Sequence, residues 1–332
     1  MLNQENTMET NDFENRLNLE PIKVKVDALK GALGGVVIGQ DALIHQLLIA
    51  LLGRGHVLIE GVPGIAKTLV AKSLAKSIHA DFSRIQFTPD LMPSDVLGTS
   101  IFNQKTQDFE LKKGPIYSNL VLIDEINRAP AKTQAALFEV MEEYQITVDG
   151  TSIPLEEPFM VLATQNPIEH EGTYRLPEAQ LDRFMMKILV DYPDEVHELA
   201  ILKKHQQAAG IDPLSQLKPL LSSKELLEIR DIIRQVEVSE GVLNYINQII
   251  RASRNFNGLY LGVSPRGGVS LLNAAKACAV IDGRDFVSPE DVKFCALPVL
   301  RHRVTLSPEK EMEGIRTDEI LVQLINQIEI PR

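Results

Sequence analysis

The chain has 332 residues, 34 basic and 45 acidic, giving a net charge of −11, with 44% hydrophobic residues. This length suggests about two domains of ~150 residues, each able to bury its own core. The acidic balance weighs against nucleic acid as main partner, two cysteines exclude a disulfide framework, and seven histidines without ligand spacing suggest no metal cluster.

Residues 1–20 are polar and expected to be mobile. No stretch reaches ~18 apolar residues and the amino terminus lacks an apolar signal core, so a cytoplasmic protein without membrane insertion is expected. A helical region runs to about Leu52, with Leu43, Leu47, Ala50 and Leu51 on its apolar face. Then come strand-length apolar runs: HVLIE (56–60), RIQF (84–87), NLVLID (119–124), FMVLATQ (159–165) and FMMKILV (184–190). Runs apolar on both faces, alternating with helices, predict an α/β fold with a parallel sheet covered by helices.

Two hairpin-like pieces interrupt that alternation, at about 91–114 and 145–155, the second turning at Asp149-Gly150. After DYPDE (191–195) the pattern is helical, predicting an α/β core at 21–193 and an all-α lid at 194–332. Ser264-Pro265, Ser288-Pro289 and Ser307-Pro308 each place a capping hydroxyl before a first-turn proline, and Asp291 completes a capping box. Cys278 and Cys295 read as buried packing, and tryptophan is absent.

Residues 61–68, GVPGIAKT, follow a strand and open a helix, the setting of a phosphate-binding loop. The loop Gly61, Val62, Pro63, Gly64, Ile65, Ala66, Lys67, Thr68 and Leu69 offers successive backbone N–H groups at a helix start, lost only at Pro63. Lys67 would reach the phosphates of ATP and Thr68 would hold Mg²⁺. Ala66 replaces the second glycine of the general pattern; it is expected at negative φ, with Gly64 taking the tight bend.

In VLIDEINRAP (121–130), Asp124 would assist Mg²⁺ through water and Glu125 would polarise the attacking water; the plainer reading is a strand ending in solvated acids. Asn166, ending another apolar strand, would orient that water or simply serve as a turn residue. Arg183 in LPEAQLDRF would stabilise charge on a transferring γ-phosphoryl or else pair with Asp182 or Glu178. Arg266, in a helix's first turn, opposes the dipole there, which points to an anionic ligand unless solvent alone screens it.

These pieces, in this order, resemble the AAA+ ATPases. The strings EGVPGIAKT, QFTPDLMPSD, GPIYSNLVLIDEINRAPAKTQAALFEVMEE, VLATQNPIEHEGTYRLPEAQLDRF and SPRGG resemble the MoxR family over roughly residues 20–320. The resemblance makes alanine before the loop lysine expected. It implies a P-loop NTPase sheet of five parallel strands flanked by helices and a smaller helical lid, with the interruptions as family inserts. It casts Val37, Ile38 and Gly39 as adenine contacts, Asn166 as sensor 1, Arg183 as an arginine finger and Arg266 as sensor 2. It also implies a homo-oligomeric ring, often a hexamer, acting on protein clients beside proteins with a von Willebrand factor A domain. Rival readings are a metal-chelatase motor subunit, a nucleic-acid motor and a nucleotide-gated binding module. For the nucleic-acid reading the first insert supplies Lys105, Lys112 and Lys113, without aromatic and basic interleaving.

Overall fold

In the computed structural model, which describes residues 17–62, 64–148, 150–166, 174, 176–207, 210 and 212–331, each of the five apolar runs forms a strand. Helices α1 (Glu20–Val36) and α2 (Asp41–Leu52) precede β1 (Val57–Gly61), α3 (Lys67–Ser77), β2 (Phe82–Gln86) and α4 (Pro93–Leu97). The hairpin β3 (Gly98–Asn103) and β4 (Asp108–Lys113) leads to β5 (Leu120–Asp124) and α5 (Ala131–Glu143). A second hairpin, β6 (Gln145–Val148) and β7 (Thr151–Pro154), precedes β8 (Met160–Gln165), α6 (Glu178–Leu181) and β9 (Met186–Val190). Asp149, expected at its turn, lies outside the described residues.

The chain continues through α7 (Glu195–Gln207), α8 (Ser223–Gln235), α9 (Glu240–Ser253), β10 (Leu259–Leu261) and α10 (Pro265–Ile281). It closes with α11 (Pro289–Leu300), β11 (Thr305–Leu306), α12 (Pro308–Met312) and α13 (Thr317–Asn326). Strands β10 and β11 pair antiparallel, so the expected all-α lid contains a small ribbon. Strands this short carry no periodicity to read.

The main sheet has the order β2-β5-β8-β1-β9, and every neighbouring pair is parallel. Every residue of β5 is buried, which accounts for its unbroken apolar run. Alternate residues serve opposite faces: Leu120 and Leu122 join the core that includes α2 and the later helices, whereas Val121 and Ile123 join the one that includes α5.

Helix α2 departs from the one-faced expectation. Ile44, Leu48, Ile49 and Leu52 are buried along with Leu43, Leu47, Ala50 and Leu51, because the helix contacts β9 and also α1, α8 and α10. Helix α9 keeps an amphipathic pattern, burying Val242, Tyr245, Ile246, Ile249 and Ile250. The three predicted caps form: the hydroxyls of Ser264, Ser288 and Ser307 accept from the N–H groups of Gly267, Asp291 and Lys310. Asp291 returns the capping-box bond to the Ser288 N–H at 2.8 Å. Both cysteines are free and buried. At the chain's described start, Leu19 is buried and Leu17 packs against the core.

Because the strands are parallel, Gly61, Gln86, Asp124, Gln165 and Val190 mark one common edge of the sheet. Val57 stands beside Met186 in register, so the residues just before β9 lie at the opposite edge. At ~3.3 Å per residue, strands of this length set the two edges roughly 15 Å apart.

Candidate active site

At the carboxyl-terminal edge, β1 delivers Gly61 into the loop that opens α3. A Cβ on Gly61 would come within 2.5 Å of both Ile65 Cδ1 and the Val190 carbonyl oxygen, so the close approach requires glycine. Gly64 has φ +86, taking the bend as expected. Ala66 overturns the expectation of negative φ: it is left-handed, φ 62 and ψ 22, immediately before Lys67. Positive φ at Gly64 and Ala66 flanks Ile65, whose φ is not positive. Such alternation turns successive N–H groups towards one concavity, which suits an anion. A non-glycine residue in this region costs roughly 1 kcal/mol. Burial of Ile65 and the packing of Val62, Ala66 and Leu69 against the core offset it. Pro63 lies outside the described residues.

A cleft of about 430 Å³ is lined by Gly64, Ala66, Lys67, Thr68, Leu69, Arg84, Gln86, Asp124, Glu125, Thr164 and Asn166. The fold thus gathers Lys67, Thr68, Asp124, Glu125 and Asn166, taken from two strand ends and one helix start. An apolar chamber of about 380 Å³ adjoins it through the shared Gly64, Ala66 and Leu69. Val37 and Ile38 line that chamber with Ile65, Tyr192, Ile201 and Leu202. Gly39 follows them with φ +75, and a Cβ there would meet the His197 side chain at 2.8 Å. A polar cleft beside an apolar chamber matches a molecule with a phosphate end and a flat aromatic end.

The cleft's charges are internally engaged. Lys67 Nζ donates to the Gly61 carbonyl at 2.6 Å. Burial lowers the Lys67 pKa from its ordinary value, while Asp124, Glu125 and Glu60 pull it upward. Asp124 accepts from Arg84 Nε at 2.6 Å and from the Thr164 hydroxyl at 3.2 Å. Glu125 is left-handed, φ 58, and the Thr164 Oγ1 accepts from its N–H at 3.0 Å. Its carboxylate accepts from Gln86 Nε2 at 3.0 Å and from Arg128 Nη1 at 2.9 Å. Backbone strain at such a charged residue is a common property of reacting sites. The Thr68 hydroxyl and the Asp124 carboxylate supply hard oxygen donors in one cleft, which fits Mg²⁺; Arg84 already occupies one Asp124 oxygen.

Arg183 and Arg266 line neither chamber. Arg183 lies just before β9, at the sheet's other edge, and pairs with Glu142 at 2.7 Å rather than with Asp182 or Glu178. Arg266 Nη2 reaches the same carboxylate at 3.1 Å. Sequence reasoning missed Arg84, Gln86, Arg128, Thr164 and Glu142. Gln86 and Arg84 had one readable signal, because a strand beside β5 must end at the same edge.

Residues 56–186 match the ATPase family associated with various cellular activities (AAA), and residues 251–324 match the AAA lid domain. The chain is 45% identical to the uncharacterized protein YeaC of Bacillus subtilis, over 89% of this chain and 92% of that one. It is 41% identical to the chaperone MoxR1 of Mycobacterium tuberculosis, over 90% of this chain and 80% of that one. A crystal structure of a proposed ATPase from Cytophaga hutchinsonii superposes with a TM-score of 0.88 at 43% identity, covering 98% of this chain and 100% of that one.

Proposed function

Since the chain belongs to the MoxR family of AAA+ ATPases, we propose that it binds ATP and hydrolyses it to ADP and phosphate in order to remodel partner proteins. One observation carries this reading: Lys67, Thr68, Asp124, Glu125 and Asn166 converge on one cleft beside an apolar chamber. The base would enter between Val37, Ile38 and Tyr192, with Gly39 shaping the turn. The N–H groups of the loop and Lys67 would hold the phosphates. Thr68 and Asp124 would hold Mg²⁺, which when bound supplies charge neutralisation on the phosphates.

Glu125 would take the proton of the attacking water, which Asn166 orients. To act as base it must turn its carboxylate from Gln86 and Arg128 towards that water. Catalysis would then be chiefly positioning and electrostatics. Arg183, an edge away from its own cleft, would stabilise the γ-phosphoryl bound to a neighbouring copy in a homo-oligomeric ring, a hexamer on this reading. Arg266, beside it, would serve the same phosphates.

The client side of this proposal rests on the β3–β4 hairpin. Phe102 and Phe109 stand opposite each other there, edge to face at 5.4 Å and both exposed. Phe102 and Phe109 interleave with Lys105, Lys112 and Lys113 in the sequence, contrary to the reading of that segment as lacking such interleaving, and only the fold shows the two rings as an exposed pair. Exposed aromatic rings suit an apolar protein client, with a von Willebrand factor A domain protein as the expected companion in the cytoplasm. Among the described residues no helix is long and apolar enough to cross a membrane.

Glu125→Gln should keep ATP binding and lose about 10²–10⁴-fold in turnover, while Lys67→Ala should lose binding. Full turnover in Glu125→Gln would remove Glu125 as base. DNA-stimulated, salt-sensitive turnover would favour a nucleic-acid motor instead.

A further inference from the structure

The arginine pair is held by more than proximity. Arg183 directs Nε and Nη2 at Glu142 Oε2, both at 2.7 Å, and Arg266 directs Nη2 at Oε1 at 3.1 Å. The preceding residue, Asp182, accepts from the Ser264 hydroxyl at 2.9 Å, and Ser264 caps the helix that carries Arg266. Asp182 also accepts from Arg303 Nε at 2.7 Å. Arg303 is buried and donates further to the carbonyls of Asp182, Phe184 and Met185. Two carboxylates therefore fasten the two arginine-bearing segments together, one at the backbone roots and one at the guanidinium tips.

The Asp182 fastening reaches the buried Arg303, whereas the Glu142 fastening lies at the surface. The guanidinium side chains remain 27% and 45% exposed, and two cations share one carboxylate, leaving an excess of one positive charge at the surface. The hydrogen bond from Arg183, with the charge of Arg266, holds the Glu142 carboxyl below its ordinary pKa, so it stays ionised and the pair stays bridged. Without Glu142 the two cations would repel and lose their common orientation.

We propose that Glu142 is a positioning residue that clamps Arg183 and Arg266 into one two-arginine unit, presented to the nucleotide phosphates of a neighbouring copy. This rests on the ATPase reading above. The two arginines would then act together, not as independent sensors on opposite sides of a hinge.

The test uses full-length chains: wild type, Glu142→Gln, Glu142→Asp and Lys67→Ala. Glu142→Gln should lose about 10–100-fold in kcat, with KM for ATP changed less than about threefold, as expected for misplacement of groups that act in the transition state. Glu142→Asp should recover part of the loss. Mixing Glu142→Gln with excess Lys67→Ala before assembly should restore turnover per Glu142→Gln subunit, because the Lys67→Ala chain brings an intact clamp. Wild-type kcat in Glu142→Gln would overturn the clamp. Failure of the mixture to recover, with ATP still bound by Glu142→Gln, would overturn its action on a neighbour. A wild type that neither binds nor turns over ATP would instead overturn the ATPase reading, and the clamp's purpose with it.

Discussion

The two edges of the central sheet are built on opposite principles. At the carboxyl-terminal edge Ala66 and Glu125 hold left-handed backbone, and the charged groups rest on one another within an open cleft. At the amino-terminal edge polar groups are buried and bonded from several sides. His56 donates through Nε2 to the Met141 carbonyl and accepts the Val161 N–H at Nδ1, each at 3.0 Å. Arg303 bridges β9's approach to the later helices. The first edge keeps interactions that a ligand can replace; the second fixes side chains so that they can be presented. On the proposed function, strain sits where a ligand would compensate it and rigidity where a cation would be aimed.

The sharpest way to break this contrast is Arg183→Ala. It should reduce kcat by about 10³–10⁵-fold while leaving nucleotide affinity nearly intact, measured by steady-state turnover and equilibrium titration. Excess Arg183→Ala protein should also depress the wild type in mixed assemblies. If affinity falls and kcat does not, the second edge serves its own chain's pocket and the contrast fails.

A middle-sized effect tests the buried edge by pH. Burial lowers the His56 pKa to about 4, so the folded chain keeps this ring neutral where an unfolded one, near 6.5, takes up a proton. Stability from this residue is full above pH 6.5 and is lost as pH falls towards 4, by at most about 3 kcal/mol. His56→Gln should be less stable at neutral pH and should lose less on acidification, read as melting temperatures at pH 7 and pH 4.5. Parallel pH profiles for the two proteins would exclude His56 as a source of acid lability.

The smallest effect sharpens the strained edge. Ala66→Gly relieves left-handed backbone but frees the unfolded chain, so stability should change by less than about 1 kcal/mol, with ATP affinity unchanged. A larger loss would mean that the Ala66 methyl packs more tightly than its position suggests.

Much of this was legible because it is local. Five strand-length apolar runs announced a parallel sheet, buried on both faces in β5 but only partly in the outer β2, and GVPGIAKT, Asp124-Glu125 and Asn166 each end or follow one of them. What stayed hidden is long-range or conformational. Arg84 meets Asp124 40 positions away, Arg183 meets Glu142 across 41, and Arg266 meets it across 124. No string of neighbours encodes those pairings. Likewise the handedness at Ala66 follows from the route between strand and helix, which composition leaves open. The helix dipole at Arg266 called for an anion, which the sequence reading took to be a ligand; in the fold Glu142 supplies one.

Tyr192 stands 65% exposed at the wall of the apolar chamber, in a chain that has no tryptophan. The chain's six tyrosines emit, but none absorbs or emits as an indole does, so an introduced indole can be excited and read selectively. A tryptophan exchanged for Tyr192 would be the chain's single such emitter, and its fluorescence would record occupation of the chamber in real time with unlabelled nucleotide.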